Sequence, residues 1–222
     1  MSASPPWSYS SLNLFQQCPK KYFHLKVAKD IKEKMSQPLL FGNEVHKAAE
    51  QFIRDGVEIP KKFEPLAPPI RILKNYKGNK LCELKLGLTK SLKPTGFFDA
   101  DVWWRGVIDL LIINGNEAKL IDYKTGKKIQ YADTKQLDIF ASATFIHFSD
   151  IEKIKGGFLF LVTKDLIKKT YTKADITGIM SKLFEEVDQL DMAYKEDVWN
   201  PKENFTCRQW CPVVSCPHNG KK

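Results

Sequence analysis

The order of segments along this 222-residue chain predicts an α/β sandwich built on a mixed sheet. Three observations carry that expectation. Two helical stretches come first. A pair of strand-like stretches joined by Asn114-Gly115-Asn116 sits in the middle, and a short, almost wholly apolar run lies between two further helices.

Taken in order, Ser8 to Val27 has helical spacing, with Ser8 or Ser10 as N-cap and Leu12, Phe15 and Tyr22 as apolar positions. Pro19 must kink that helix or divide it in two, since it has no N–H to donate and its ring crowds the preceding turn. Leu39 to Arg54 is a second helix: Val45, Ala48, Ala49 and Phe52 fall at i, i+3, i+4 and i+7, and Asp55-Gly56 ends it. The proline-rich stretch from Ile59 to Pro69 reads as a connector, followed by a short helix over Ile70–Tyr76.

Leu81–Thr89, Val102–Ile113 and Glu117–Tyr123 are rich in β-branched and aromatic residues and read as strands. The last two form a hairpin, because Asn and Gly tolerate the positive φ of a tight turn. Asp133–Phe148 reads as an amphipathic helix with Leu137, Phe140, Ala141, Thr144, Phe145 and Phe148 on one face. Gly156–Thr163 (GGFLFLVT) is too apolar for a surface element and is expected as a buried strand. Ala174–Tyr194 is a last long helix, and a cysteine-rich tail begins near Trp199.

Composition narrows the function classes. Hydrophobic residues are 43% and charged residues 27% of the chain, the usage of a folded globular protein rather than of a disordered one. No apolar run approaches the roughly 20 residues that span a bilayer, and Met1–Pro6 lacks a secretory layout, so a cytoplasmic location without membrane insertion is expected. Lys and Arg outnumber Asp and Glu by 35 to 26, leaving a net charge of +9, which favours a polyanionic partner. Five cysteines, an odd count, do not suit a secreted disulfide scaffold.

The chemistry concentrates in Arg105-Gly-Val-Ile-Asp109 and Leu120-Ile-Asp122-Tyr-Lys124-Thr-Gly126. Asp109 comes late in one hairpin strand and Asp122 late in its partner. With the turn centred on Gly115, Asp109 faces residue 121 or its neighbours, so the two carboxylates can converge. Both lie among apolar residues, where an unpaired carboxylate is costly and a hard divalent cation relieves the cost. Lys124, two residues beyond Asp122, projects to the same face. Two carboxylates and a lysine at a hairpin end suit metal-assisted phosphodiester hydrolysis. A salt bridge at a sheet edge accounts for Asp109 and Lys124 equally well.

Together with three further motifs, these residues resemble the PD-(D/E)xK nuclease superfamily in its RecB-like exonuclease branch. Ser8-Tyr-Ser10 through Phe15-Gln-Gln-Cys18-Pro19-Lys-Lys-Tyr22 is similar to the branch's N-terminal signature, and Gly42-Asn-Glu-Val-His46 to its histidine motif. Gly106-Val-Ile-Asp109 and Ile121-Asp122-Tyr123-Lys124 look like the two halves of the nuclease signature. Gln136-Leu137-Asp-Ile-Phe140 resembles a Q-L-x-x-Y motif, with Phe in place of Tyr.

The resemblance implies a restriction-endonuclease-like α/β core, a central mixed sheet flanked by helices. It implies one domain over 1–222, with a helical part at 1–60, a core at 78–165 and a cysteine-rich metal-binding tail at 199–222. It further implies Mg²⁺ or Mn²⁺ held by His46, Asp109, Asp122 and the Tyr123 carbonyl, with Lys124 catalytic and Gln136 positioning. Glu83 resembles a further acidic position, though a solvated strand residue fits it equally. DNA is the implied partner, and stand-alone phage and CRISPR-associated exonucleases are the similar proteins.

Cys207, Cys211 and Cys216 have metal-ligand spacing. A fourth ligand is either His218, for a Cys₃His zinc site, or Cys18, for an iron–sulfur cluster. The resemblance implies a 4Fe–4S cluster, although the x3, x4 spacing departs from the usual x2, x5. Cys82 is left over as a buried strand residue. Two functions follow: a metal-dependent DNA exonuclease in replication, repair or recombination, or a DNA-binding subunit of a processing complex without its own activity.

Overall fold

The computed structural model describes residues 4–32 and 35–220, with the side chain of Tyr131 left aside. The chain forms two compact units, Met1–Met35 with Ser181–Lys222, and Ser36–Met180. The helical part expected over 1–60 is thereby parted: its first helices belong to one unit and its last to the other.

In the first unit, Pro19 divides the opening helix, as its chemistry requires. Helix α1 (Tyr9–Gln17) starts from Ser8, whose side chain accepts from the Ser11 N–H while the Ser11 hydroxyl accepts from the Ser8 N–H. Helix α2 (Pro19–Tyr22) begins with the proline at a position that needs no donor. Between them Cys18 is extended, with φ −166° and ψ 107°. Tyr22 packs edge-on against Phe15 and stacks on Trp199, with centroids 5.9 Å apart and planes 17° apart, and its hydroxyl meets that of Tyr194 at 3.2 Å.

The second unit is organised around a six-stranded sheet in the order β2-β1-β3-β4-β5-β6. Its strands are β1 (Asn79–Leu88), β2 (Pro94–Thr95), β3 (Trp104–Asn114), β4 (Glu117–Lys124), β5 (Lys153–Phe160) and β6 (Asp165–Thr172). All neighbours run antiparallel except β4 and β5. That parallel pair needs a crossover, supplied by α5 (Lys135–His147). The mixed sheet is as expected, and Gly115 closes the β3–β4 hairpin at φ 61°.

Helix α3 (Gln37–Asp55) is capped by Ser36 and ended by Gly56. The proline-rich connector is largely helical rather than irregular: a 3₁₀ turn over Lys61–Leu66, with Pro65 inside it, leads into α4 (Ala67–Lys74), where Pro68 and Pro69 occupy first-turn positions whose missing N–H has no partner to lose. Val45, Ala49 and Phe52 of α3 and Ile70 of α4 pack with Leu110, Ile112, Ile121 and Tyr123 in one cluster. Cys82, half-buried, packs against that cluster.

Helix α5 departs from a single apolar face. Ile139, Ser142 and Ala143 are buried along with Leu137, Phe140, Ala141, Thr144 and Phe145, since the helix is enclosed on more than one side. Two strands have no counterpart in the sequence-based expectation. Strand β2 has two residues, too few for any periodicity. Strand β6 is a lysine-bearing edge strand whose side chains are mostly exposed, the composition that keeps an edge from pairing with another chain. The final helix, α6 (Asp175–Glu196), starts in this unit and continues into the other.

One irregularity positions the site. Trp104 and a Cβ placed on Gly106 both meet Phe140 of α5, yet Leu110 and Ile112 join the α3–α4 cluster. Residues an even number apart on a regular strand share a face, so the strand switches faces between Gly106 and Leu110. The β1–β3 ladder pairs Cys82 with Leu110 and Leu84 with Ile108 but skips the rung between them, where Glu83 faces Asp109 with φ 49°.

Candidate active site

Strands β3 and β4 part after the pair Leu110–Ile121, so the next rung, Asp109 opposite Asp122, carries no ladder pairing. The two carboxylates are therefore one residue further along than the closest pairing expected from the turn, and the freed backbone is used locally. The Tyr123 N–H donates to Asp109 Oδ2 at 2.7 Å, and the Tyr123 carbonyl lies 3.1 Å from His46 Nε2. The Tyr123 side chain meanwhile is buried in the α3–α4 cluster, which fixes that stretch of backbone.

Helix α3 brings His46 in. A Cβ on Gly42, one turn earlier, would lie 3.4 Å from Thr125 Oγ1, so the helix runs close to the end of β4. His46 Nδ1 sits 3.4 Å from Asp109 Oδ1. With a carboxylate at one ring nitrogen and a carbonyl at the other, the doubly protonated ring satisfies both neighbours. Burial works against its charge, but Asp109, Asp122 and Glu83 outweigh it, and the His46 pKa is raised.

His46, Glu83 and Asp109 each offer a ligand atom within 4.8 Å of the others, the one such group among the described residues. Asp122 lies outside this trio because its carboxylate is engaged elsewhere. Gln136, in the first turn of α5, donates from Nε2 to Asp122 Oδ1 at 2.8 Å and accepts from Lys124 Nζ at 2.9 Å. The amide thus bridges carboxylate and ammonium in the one orientation that suits both. Lys124 Nζ is also 2.6 Å from Asp122 Oδ2, a close charge contact that is not an aligned hydrogen bond, and leaves this buried oxygen without one. The ammonium rests on the Phe158 ring, 4.6 Å from its centroid.

Phe158 is a site residue that periodicity could not find. It pairs with Asp122 across parallel strands that are 36 residues apart in sequence. Phe140 is only 4% exposed and packs on Trp104, so it belongs to the core and not to a DNA-facing surface.

Oxygen donors with a single imidazole are a donor set that suits Mg²⁺ or Mn²⁺. Burial first, and then the Asp109 charge, push the Glu83 carboxyl up to about 7. Burial and Asp109 likewise raise Asp122, against the pull of Lys124.

Groups whose folded-state values are raised hold their protons more tightly when folded, so this centre is least costly in mild acid. With EDTA present, stability is expected to fall as pH rises from about 4.5 through 7, with Glu83 contributing about 1–2 kcal/mol after allowance for its partly wet setting. Thermal melts at pH 5 and pH 8 check this. Mn²⁺ should restore more stability at the higher pH, and Glu83→Gln should flatten the profile.

A PD-(D/E)XK nuclease superfamily model matches residues 6–216, nearly the whole chain. The chain belongs to the PD-(D/E)XK nuclease superfamily. Among solved structures, this superfamily member is similar to a candidate exonuclease from Eubacterium rectale (15% identity, TM-score 0.56, covering 93% of this chain and 86% of that one). It is also similar to the protein SSO0001 (15% identity, TM-score 0.51, covering 99% and 89%). At that identity the likeness concerns the fold. No curated protein matches it at the sequence level.

The remaining cysteines of this PD-(D/E)XK protein lie in its other unit, and among the described residues no three of them offer sulfurs within 4.8 Å of one another. Cys18, Cys207, Cys211 and Cys216 are all buried and none is in a disulfide. The tail docks on the α1–α2 junction: the Lys202 N–H donates to Cys18 Sγ at 3.4 Å, and the Asn204 amide donates to the Gln17 carbonyl at 3.1 Å. Cys207 Sγ accepts from the Asn204 N–H at 3.4 Å. His218 has Glu203 3.5 Å from its Nδ1.

Proposed function

We propose that this PD-(D/E)XK protein is a metal-dependent deoxyribonuclease that acts as an exonuclease in DNA replication, repair or recombination. The observation that supports it most directly is the meeting of His46, Glu83 and Asp109 beside the Asp122–Gln136–Lys124 chain, where β3 and β4 part. His46, Asp109, Asp122 and the Tyr123 carbonyl, joined by Glu83, are the groups that would hold Mg²⁺ or Mn²⁺. A divalent cation there supplies charge for activating the attacking water and neutralising the scissile phosphate.

The chain's own residues do the rest. Lys124 offers positive charge to the phosphate oxygens as charge develops on them. Gln136, the Asp122 carboxylate and the Phe158 ring hold the Lys124 ammonium in place. The net charge of +9 draws the DNA backbone in.

In the first unit we assign a 4Fe–4S cluster to Cys18, Cys207, Cys211 and Cys216. What favours Cys18 over His218 as fourth ligand is the docking of the tail onto Cys18. The backbone N–H groups aimed at Cys18 and Cys207 suit thiolates carrying negative charge.

The deciding experiment is digestion of end-labelled linear DNA and closed circular DNA with Mn²⁺. Release of labelled nucleotides from the linear substrate, with circles intact and EDTA stopping the reaction, is expected. Nicked or linearised circles would make the activity endonucleolytic. DNA binding without cleavage of either substrate would instead identify a subunit lacking its own activity.

A further inference from the structure

Between β2 and β3 the chain makes a turn that holds the Phe98 ring outward beside a half-buried Phe97. Asp99 fixes it: its carboxylate accepts from the Gly96 N–H at 2.7 Å and from the Thr95 hydroxyl at 3.1 Å, and the Asp99 N–H donates back to the Gly96 carbonyl at 3.2 Å. The rings of Phe97 and Phe98 stand 4.9 Å apart, edge to face. Phe98 is 76% exposed. A tightly hydrogen-bonded turn has no reason of packing to keep such a ring in water.

Two cations border the pair. Lys85 Nζ lies 5.8 Å and 5.6 Å from the Phe97 and Phe98 centroids, and the Arg105 guanidinium carbon lies 5.3 Å from that of Phe97. Among the described residues no carboxylate pairs with either cation.

The strand register relates this patch to the acidic centre. Lys85 pairs with Val107 and Gly87 with Arg105, so the two cations stand two and four residues along β1 and β3 from the Glu83–Asp109 rung. At roughly 3.3 Å per residue that is about 7 and about 13 Å. An extended single strand advances about twice the ~3.4 Å rise of a stacked duplex strand. The spacing therefore suits phosphates one and two nucleotides from the acidic centre.

We infer that Phe98, with Lys85 and Arg105, is a stacking platform for single-stranded DNA leading to the acidic centre: an unpaired base lies on the open face of Phe98, and the adjoining phosphates meet the two cations. An unpaired base can turn a whole face to such a ring, whereas inside a duplex both faces are covered by neighbouring bases and only the end pairs show one. Phe97 orients Arg105 beneath it by cation–π contact. This substrate class rests on the deoxyribonuclease assignment for the direction in which the strand runs.

The test is fluorescence anisotropy on the full chain in EDTA, with a labelled 20-nucleotide oligo-dT and a blunt 20-base-pair duplex, beside cleavage of each with Mn²⁺. Phe98→Ala is expected to weaken oligo-dT binding roughly tenfold and leave duplex affinity within about twofold, while Phe98→Trp retains oligo-dT binding. Lys85→Ala and Arg105→Ala should each lower the slope of log affinity against log salt by about one. Phe98 is exposed, so its variants should melt like the parent.

Unchanged oligo-dT affinity in a Phe98→Ala protein that still cleaves DNA would overturn the platform alone and leave the rings to a protein contact. Equal losses on both substrates would overturn it as well. A parent protein that neither binds nor cleaves DNA would overturn the deoxyribonuclease assignment itself.

Discussion

Replacing Lys124 by alanine is expected to slow phosphodiester cleavage by about 10²- to 10³-fold, the loss typical of removing one group that stabilises developing charge. DNA affinity should change little, because one cation among 35 Lys and Arg contributes a small part of the field. The same substitution leaves Asp122 without the ammonium that offsets its burial, so that carboxyl should rise further and the protein should lose some stability. The comparison that separates chemistry from folding is with Asp109→Ala. That variant should lose both cleavage and the stabilisation by Mn²⁺, whereas Lys124→Ala should keep the Mn²⁺-dependent rise in melting temperature. Full cleavage by Lys124→Ala would remove Lys124 from the chemistry.

The cysteine tail carries the second large effect. A cluster holding Cys18 and Cys207 would close a chain segment of about 190 residues. Closing a loop that long lowers the entropy of the unfolded chain by an amount worth about 5 kcal/mol. In a protein of this size, losing it corresponds to a drop of about 10–20 °C in melting temperature. Cys18→Ser and Cys207→Ser should each show that drop together with loss of the visible absorption band and of bound iron. A parent protein that contains zinc and no iron, and in which Cys18→Ser melts normally while His218→Ala does not, would reassign the site to zinc held by Cys207, Cys211, Cys216 and His218.

How much of this was legible beforehand depended on range. Short-range chemistry reads directly from neighbours: Ser8 caps α1, Pro19 breaks the helix, Gly56 ends α3, and Asn114-Gly115-Asn116 turns the hairpin. The hairpin in turn made the convergence of Asp109 and Asp122 foreseeable, since a two-residue turn sets the register of everything beyond it. Strand β6 escaped because an edge strand has no buried face to impose alternation. The connector at 59–69 differs from expectation because proline in a first helical turn looks the same in sequence as proline in a loop.

For the candidate site, the sequence determined the inventory: which carboxylates, histidine, lysine and cysteines stand in which order, and hence the family. The tertiary structure decided the grouping. Besides the Tyr123 N–H of β4, Asp109 meets side chains from α3 and from the opposite rung of β1, so His46 and Glu83 gather with it. Asp122 is instead claimed by Lys124 and by Gln136 of α5. That division follows from the skipped rung between Glu83 and Asp109 and from the parting of β3 and β4 one residue beyond Leu110. Those are backbone irregularities fixed by helices packing on opposite faces of the sheet. No local pattern of residues encodes them, because the packing partners lie some 30 to 60 residues away along the chain.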